Sequence, residues 1–250
     1  MEIELWQWTA AALGALFVGL GKGGLPGVGN LTVVIFALTF DAKASVGLLL
    51  PVLISADIVA VYIYRREVAW RYLWKLLPWM CLGVLAGYAV FARMTSEQVR
   101  VFIGVIVLVM TALHFVRLWW RKRNGEAEDW LPESRFFAVS MGVTGGFATM
   151  IANAAGPVAQ LYLLAVGLPK LAFIATGAWC FFLVNLFKVP FQVDLGIIHM
   201  ESLAVSLSLA PVAMFGALIA RPVVARIRQT WFEALVWGFI ILAGVRMLVG

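Results

Sequence analysis

Residues 19–30 read GLGKGGLPGVGN and residues 142–157 read GVTGGFATMIANAAGP, and both stretches interrupt sequence that is otherwise strongly apolar. A helix rarely runs through such composition, because an interior Gly costs about 1 kcal/mol and a Pro about 3 relative to Ala. Working outward from the first break, apolar runs cover 5–21 and 27–40, then 44–64, 72–92 and 99–120. Around the second they cover 136–152 and 155–167, then 171–190, 200–220 and 231–249. Crossing a hydrocarbon core about 30 Å thick takes roughly 20 helical residues. Three runs after each break meet that length, and the short ones form two broken pairs, 5–40 and 136–167. The pattern predicts an all-α polytopic membrane protein, each half a broken or re-entrant helical pair followed by three transmembrane helices.

Composition agrees. The 250 residues are 63% hydrophobic and 13% charged, about half the charged fraction of a water-soluble domain. The net charge of +6 does not point to nucleic acid, because the basic residues occur in short runs between apolar segments and form no single soluble face. Cys81 and Cys180 both lie inside apolar runs, which suits packing and leaves no disulfide framework or CxxC pair. The opening MEIELWQW lacks the basic region of a signal peptide, so the first hydrophobic segment is expected to stay. Walker A, HExxH and GxSxG patterns are missing and there are two histidines, so neither an enzyme, a cofactor nor a metal site is expected. Gly19, Gly21 and Gly24 spell GxGxxG, but a dinucleotide site needs a strand before it and a βαβ unit around it. The tryptophans, among them Trp6, Trp8, Trp70, Trp74, Trp119, Trp120, Trp130 and Trp231, collect near segment ends as an interfacial belt.

The one extended polar stretch, 121–135 (RKRNGEAEDWLPESR), divides the chain almost in half. On both sides the features recur in order: break, short apolar run, Lys-bearing turn (Lys43, Lys170), three spans. This implies repeat 1 over 1–120, a cytoplasmic linker over 121–135 and repeat 2 over 136–250. Five passes per half would invert the second against the first. Of the 19 Lys and Arg, Lys22 lies in a break, five (Lys43, Arg93, Arg100, Lys188, Arg246) then fall outside and the other 13 inside. With eight single spans the split weakens to 11 against 7, because Arg221, Arg226 and Arg228 land outside. The positive-inside rule favours inversion.

Irregular backbone at membrane depth survives only where protein buries it or a wet cavity lines it. Two such breaks at matching places point to a transporter site near the midplane. Asn30 and Asn153 are suited to cap the half-helices that follow, and Pro157 to a first helical turn. Free N–H groups and about +0.5 of an elementary charge at each half-helix start would attract an anion, with Gly23, Gly24, Gly145 and Gly146 allowing close approach. Thr144, Thr149, Gln160, Ser55 and Asn185 lie at or near the breaks or on facing spans and could each donate to a small oxyanion, though such residues more often serve as helix back-bonders or interhelical contacts; Thr144 and Gln160 are counted with the substrate-binding residues. Lys22 needs a partner at that depth. Either a substrate anion or Asp57, the one acid well inside a full span, fits, so a structural Lys22–Asp57 pair and a functional arrangement with Asp57 as coupling group both stand. Lys188 sits in the last turn of its run, where a lysine ordinarily snorkels to the interface.

The GLGKGGLPG stretch and its echo GVTGGFATMIANAAGP after the mid-chain linker resemble the sulfite exporter TauE/SafE family, also called the 4-toluene sulfonate uptake permease family. The resemblance covers essentially the whole chain. It implies a permease in the bacterial inner membrane for sulfite, thiosulfate or small organosulfonates; with neither an ATP site nor a soluble partner domain visible in the sequence, a proton or ion gradient is expected to drive it. Gly21, Gly23, Gly24, Gly145 and Gly146 match the family's glycine-rich breaks, while Lys22 replaces a commonly uncharged residue. A permease for small carboxylates on the same scaffold, an intramembrane enzyme built around His114 or His199, and a purely structural membrane subunit are the alternatives.

Overall fold

The computed structural model describes residues 3–25, 28–124 and 135–226, with isolated positions 241 and 245. Among the described residues all regular structure is helical: α1 (Leu5–Lys22), α2 (Val28–Thr39), α3 (Ala42–Tyr64), α4 (Trp70–Phe91), α5 (Ser96–Asn124), α6 (Arg135–Ala152), α7 (Gly156–Ala165), α8 (Lys170–Asp194) and α9 (Met200–Arg226). Five of them, α3, α4, α6, α8 and α9, are long and apolar enough to cross a membrane. Large apolar side chains such as Leu5, Tyr62, Leu82, Leu207 and Leu218 lie exposed on the outside, as lipid contact requires. The run 231–249 and most of the 121–135 linker lie outside the described residues.

α1 and α2 form a hairpin that closes at its entry side, where the Gln7 amide donates to the Thr39 carbonyl at 3.0 Å. Asp41 then caps α3, accepting from the amides of Lys43 and Ala44. α1 runs alongside α3 in the same direction, with Lys22 level with Asp57 and Gly23 near Tyr64. α8 runs the opposite way, placing Ile174 near Tyr64 and Asn185 at Asp57. α6 and α7 form the second hairpin, closed where Phe137 stacks on Tyr162. This hairpin opens on the other end of the bundle: Asn153, at its turn, donates to the carbonyl of Val46 near the start of α3.

Each hairpin packs on a helix from the other half through glycine. A side chain at Gly19 or Gly23 would strike the α9 backbone or Ala220, and one at Gly83 or Gly146 would strike the facing backbone of α6 or α4. Both pairs run parallel: Leu16 and Gly19 meet Gly216, and Gly83 meets Val143 and Phe147. α9 therefore ends on the same side as α3, which brings the backbone of Arg221 and Arg226 to the end that holds Arg65 and Arg66.

Two expectations change. The second break is shorter than its sequence suggests, since α6 continues through Gly142, Gly145 and Gly146 to Ala152 and only residues 153–155 are non-helical. Gly142 and Gly146 admit the backbone of α4 and Gly145 faces Val158 of α7; they do not stop the helix. Asn30 is not a cap, because α2 has already begun at Val28; its side chain lies outside the described residues.

Candidate functional site

The first break follows the last turn of α1. Gly24 takes φ +118°, a region where a Cβ is strongly disfavoured, and Gly23 gives its carbonyl to the Tyr64 hydroxyl at 3.2 Å. The turn leaves Lys22 pointing between α3 and α8. Its ammonium lies 2.7 Å from Asp57 Oδ1, with the lysine side chain 15% exposed and the aspartate fully buried, and 4.4 Å above the Phe181 ring. The other Asp57 oxygen accepts from Asn185 Nδ2 at 2.7 Å. Both carboxylate oxygens are thus partnered, one by a cation and one by an amide.

The second break begins at Asn153, whose φ of +52° is the left-handed conformation that ends helices and that Asn tolerates better than most residues. Its amide N–H returns to the Thr149 carbonyl at 3.0 Å. Asn153 therefore caps the C-terminus of α6, not the N-terminus of α7 as expected. Pro157 does fall in the first turn of α7. The Asn153 side chain is used at both ends: Nδ2 donates to Val46, and Oδ1 accepts from Lys188 Nζ at 2.6 Å.

Lys188 is fully buried. Its ammonium also donates to the Thr149 carbonyl at 3.0 Å and hydroxyl at 3.1 Å. Three neutral acceptors at the negative end of the α6 dipole hold it. Among the described residues its partners include no carboxylate. The polar groups between α3, α6 and α8 thus include two lysines and one aspartate, in a setting where an unpaired charge is expensive.

The breaks do not meet. Asp57 and Val46, the α3 residues level with Lys22 and Asn153, stand eleven residues apart, about 16 Å of helical rise. What joins the two levels is one face of α8, on which Phe181, Asn185 and Lys188 follow at spacings of four and three. The expected common site between two break tips is therefore replaced by two levels linked by side chains.

The remaining expected residues divide. Gly145 and Gly146 are buried within α6, the latter against Met80, and Thr144 faces outward. Gln160 is half-buried on α7, and Ser55 bonds back to Val52. Lys22, Asp57 and Asn185 gather at one level, and Thr149 and Asn153 gather with Lys188 at the other. Lys188 was expected at the interface and instead holds the second break. The signal for it was the polar stripe Asn185, Lys188, Gln192 on one helical face. His199 is exposed and bonded within the first turn region of α9, and the His114 side chain lies outside the described residues. Cys180 packs against Met80 with 3.4 Å between sulfurs.

No curated protein and no solved structure matches this chain. A family model does so over nearly its full length, residues 11–247. A helical, multi-pass architecture with buried charge at two broken hairpins is in keeping with a transporter family, and the chain belongs to the family described as Sulfite exporter TauE/SafE.

Proposed function

We propose that the protein is a secondary transporter of small sulfur-containing anions such as sulfite, thiosulfate or a C2 organosulfonate in the bacterial inner membrane. The observation that carries this reading is Lys188, buried and, among the described residues, held by neutral acceptors. A buried cation without a counter-charge is costly, and a transported anion supplies the missing charge for part of each cycle. The N-terminus of α7 at Gly156, three residues beyond Asn153, adds backbone N–H groups and a positive dipole end. Asp57 serves as the coupling group: when a substrate anion competes for Lys22, the displaced carboxylate takes up a proton. Two inverted repeats, 1–120 and 136–250 joined by 121–135, provide the alternation. The exchange of packing partners, α1 with α9 and α6 with α4, supports that duplication.

The test is uptake of labelled sulfite and of a C2 sulfonate into proteoliposomes. Lys188→Met is expected to reduce uptake at least tenfold, and unchanged flux would remove Lys188 from the mechanism. Asp57→Asn is expected to abolish accumulation against a gradient while leaving substrate exchange between the two sides. A carboxylate permease would instead show stronger competition by acetate or lactate than by sulfite.

A further inference from the structure

We propose that Gln192 is a specificity-determining residue whose side-chain amide reads the transported anion and favours an oxyanion that carries a hydroxyl group. This rests on the transport reading above. Gln192 is fully buried, and among the described residues neither its Nε2 nor its Oε1 has a hydrogen-bond partner. A buried amide with both ends empty is rare, because each lost bond carries the full desolvation penalty. Its position explains what would fill it. Gln192 lies four residues beyond Lys188 and seven beyond Asn185, on the face of α8 that carries the buried charge.

The backbone at Gln192 is held there. The Gln192 backbone carbonyl accepts from the amides of both Ile197 and Ile198 at 3.2 Å, and two residues on, Asp194 is tied to the Tyr88 hydroxyl of α4. The end of α8 is thus anchored on two sides.

The empty groups define the ligand. Nε2 donates and Oε1 accepts, so a ligand that satisfies both offers an oxygen to the first and an O–H to the second, while its charge faces Lys188. The singly protonated anion of a weak oxyacid does this. A sulfonate has acceptors only and leaves Oε1 empty; a halide lacks the second atom as well. A site that hydrogen-bonds a substrate hydroxyl discriminates against analogues lacking it, because its own polar group is then left unpaired.

The experiment compares wild type with Gln192→Met, which keeps length and removes both polar groups, and with Gln192→Leu in case the first variant misfolds. KM for sulfite at mildly acidic pH, where the hydrogen-bearing anion dominates, is measured beside KM for methanesulfonate, with thermal unfolding in detergent as a fold control. The expected result is a KM for sulfite raised about tenfold or more, a KM for methanesulfonate changed less than about threefold, and stability unchanged or higher. Equal changes for both anions, or no change for either, would overturn the role of Gln192 while leaving transport standing. Wild-type protein that carries neither anion would overturn both readings.

Discussion

Asp57 illustrates how one buried residue can be structural and functional by separable tests. Its two oxygens are held by Lys22 and Asn185, so deleting either charge strands the other in a poor solvent. Breaking a buried ion pair from one side costs about 3–5 kcal/mol, whereas replacing both partners by apolar residues is often neutral. Lys22→Met and Asp57→Leu are therefore each expected to lower stability by about 3 kcal/mol in denaturant titrations, the low end because Lys22 keeps 15% exposure. The double variant should recover most of that loss and still fail to accumulate substrate. Recovery of uptake together with stability would make the pair a structural clamp only. These two residues were legible in the sequence because each is an isolated charge at membrane depth, Lys22 in a glycine-rich break and Asp57 inside an apolar run. Lys188 was not, since its run ends near 190 by hydropathy but its helix continues to Asp194, moving the lysine from a terminal turn to the interior. Gln192 was missed for the same reason.

Glycine was the clearest sequence signal at the level of whole helices, and it carried two different meanings. At Gly24 it marks a real break, with positive φ. Along α6 it marks contact: at Gly142 and Gly146 a Cβ would press on Trp79, Leu76 or Met80 of α4, the close small-residue approach that holds membrane helices together. Composition cannot separate the two, because a glycine-rich run weakens a helix and widens its packing groove alike, and only the facing helix decides. Gly146→Ala is therefore expected to force α4 and α6 apart and cost about 1–3 kcal/mol or more. Gly177→Ala, within α8 where an added methyl meets its nearest neighbours at 3.5 and 3.9 Å, should be neutral or stabilise by up to about 1 kcal/mol through helix propensity. Thermal unfolding of both variants in one detergent checks the contrast; equal losses would mean that propensity, not interhelical contact, governs these sites.

Over the whole molecule, the direction of each helix follows from a few contacts, and those directions bear on topology. Asp41 is bonded to Ser96, and Lys43 Nζ donates to the Met94 carbonyl at 2.8 Å, so the starts of α3 and α5 share one end of the bundle with Arg93. The opposite end holds Arg65 and Arg66 after α3, Arg71 in the first turn of α4 and the start of α6 at Arg135. Because α9 runs parallel to α1, Arg226 joins that second, more basic end, which is the distribution the positive-inside rule assigns to the cytoplasm. An arrangement of eight single spans puts Arg226 opposite Arg66 instead. Single cysteines at 66, 93 and 226, made in a background with Cys81→Ala and Cys180→Ala, separate the two arrangements. A membrane-impermeant maleimide applied to intact cells is expected to label position 93 and to reach 66 and 226 only after permeabilisation. Labelling of 226 in intact cells with 66 protected would put the two on opposite faces of the membrane, and the inverted repeat would have to be abandoned.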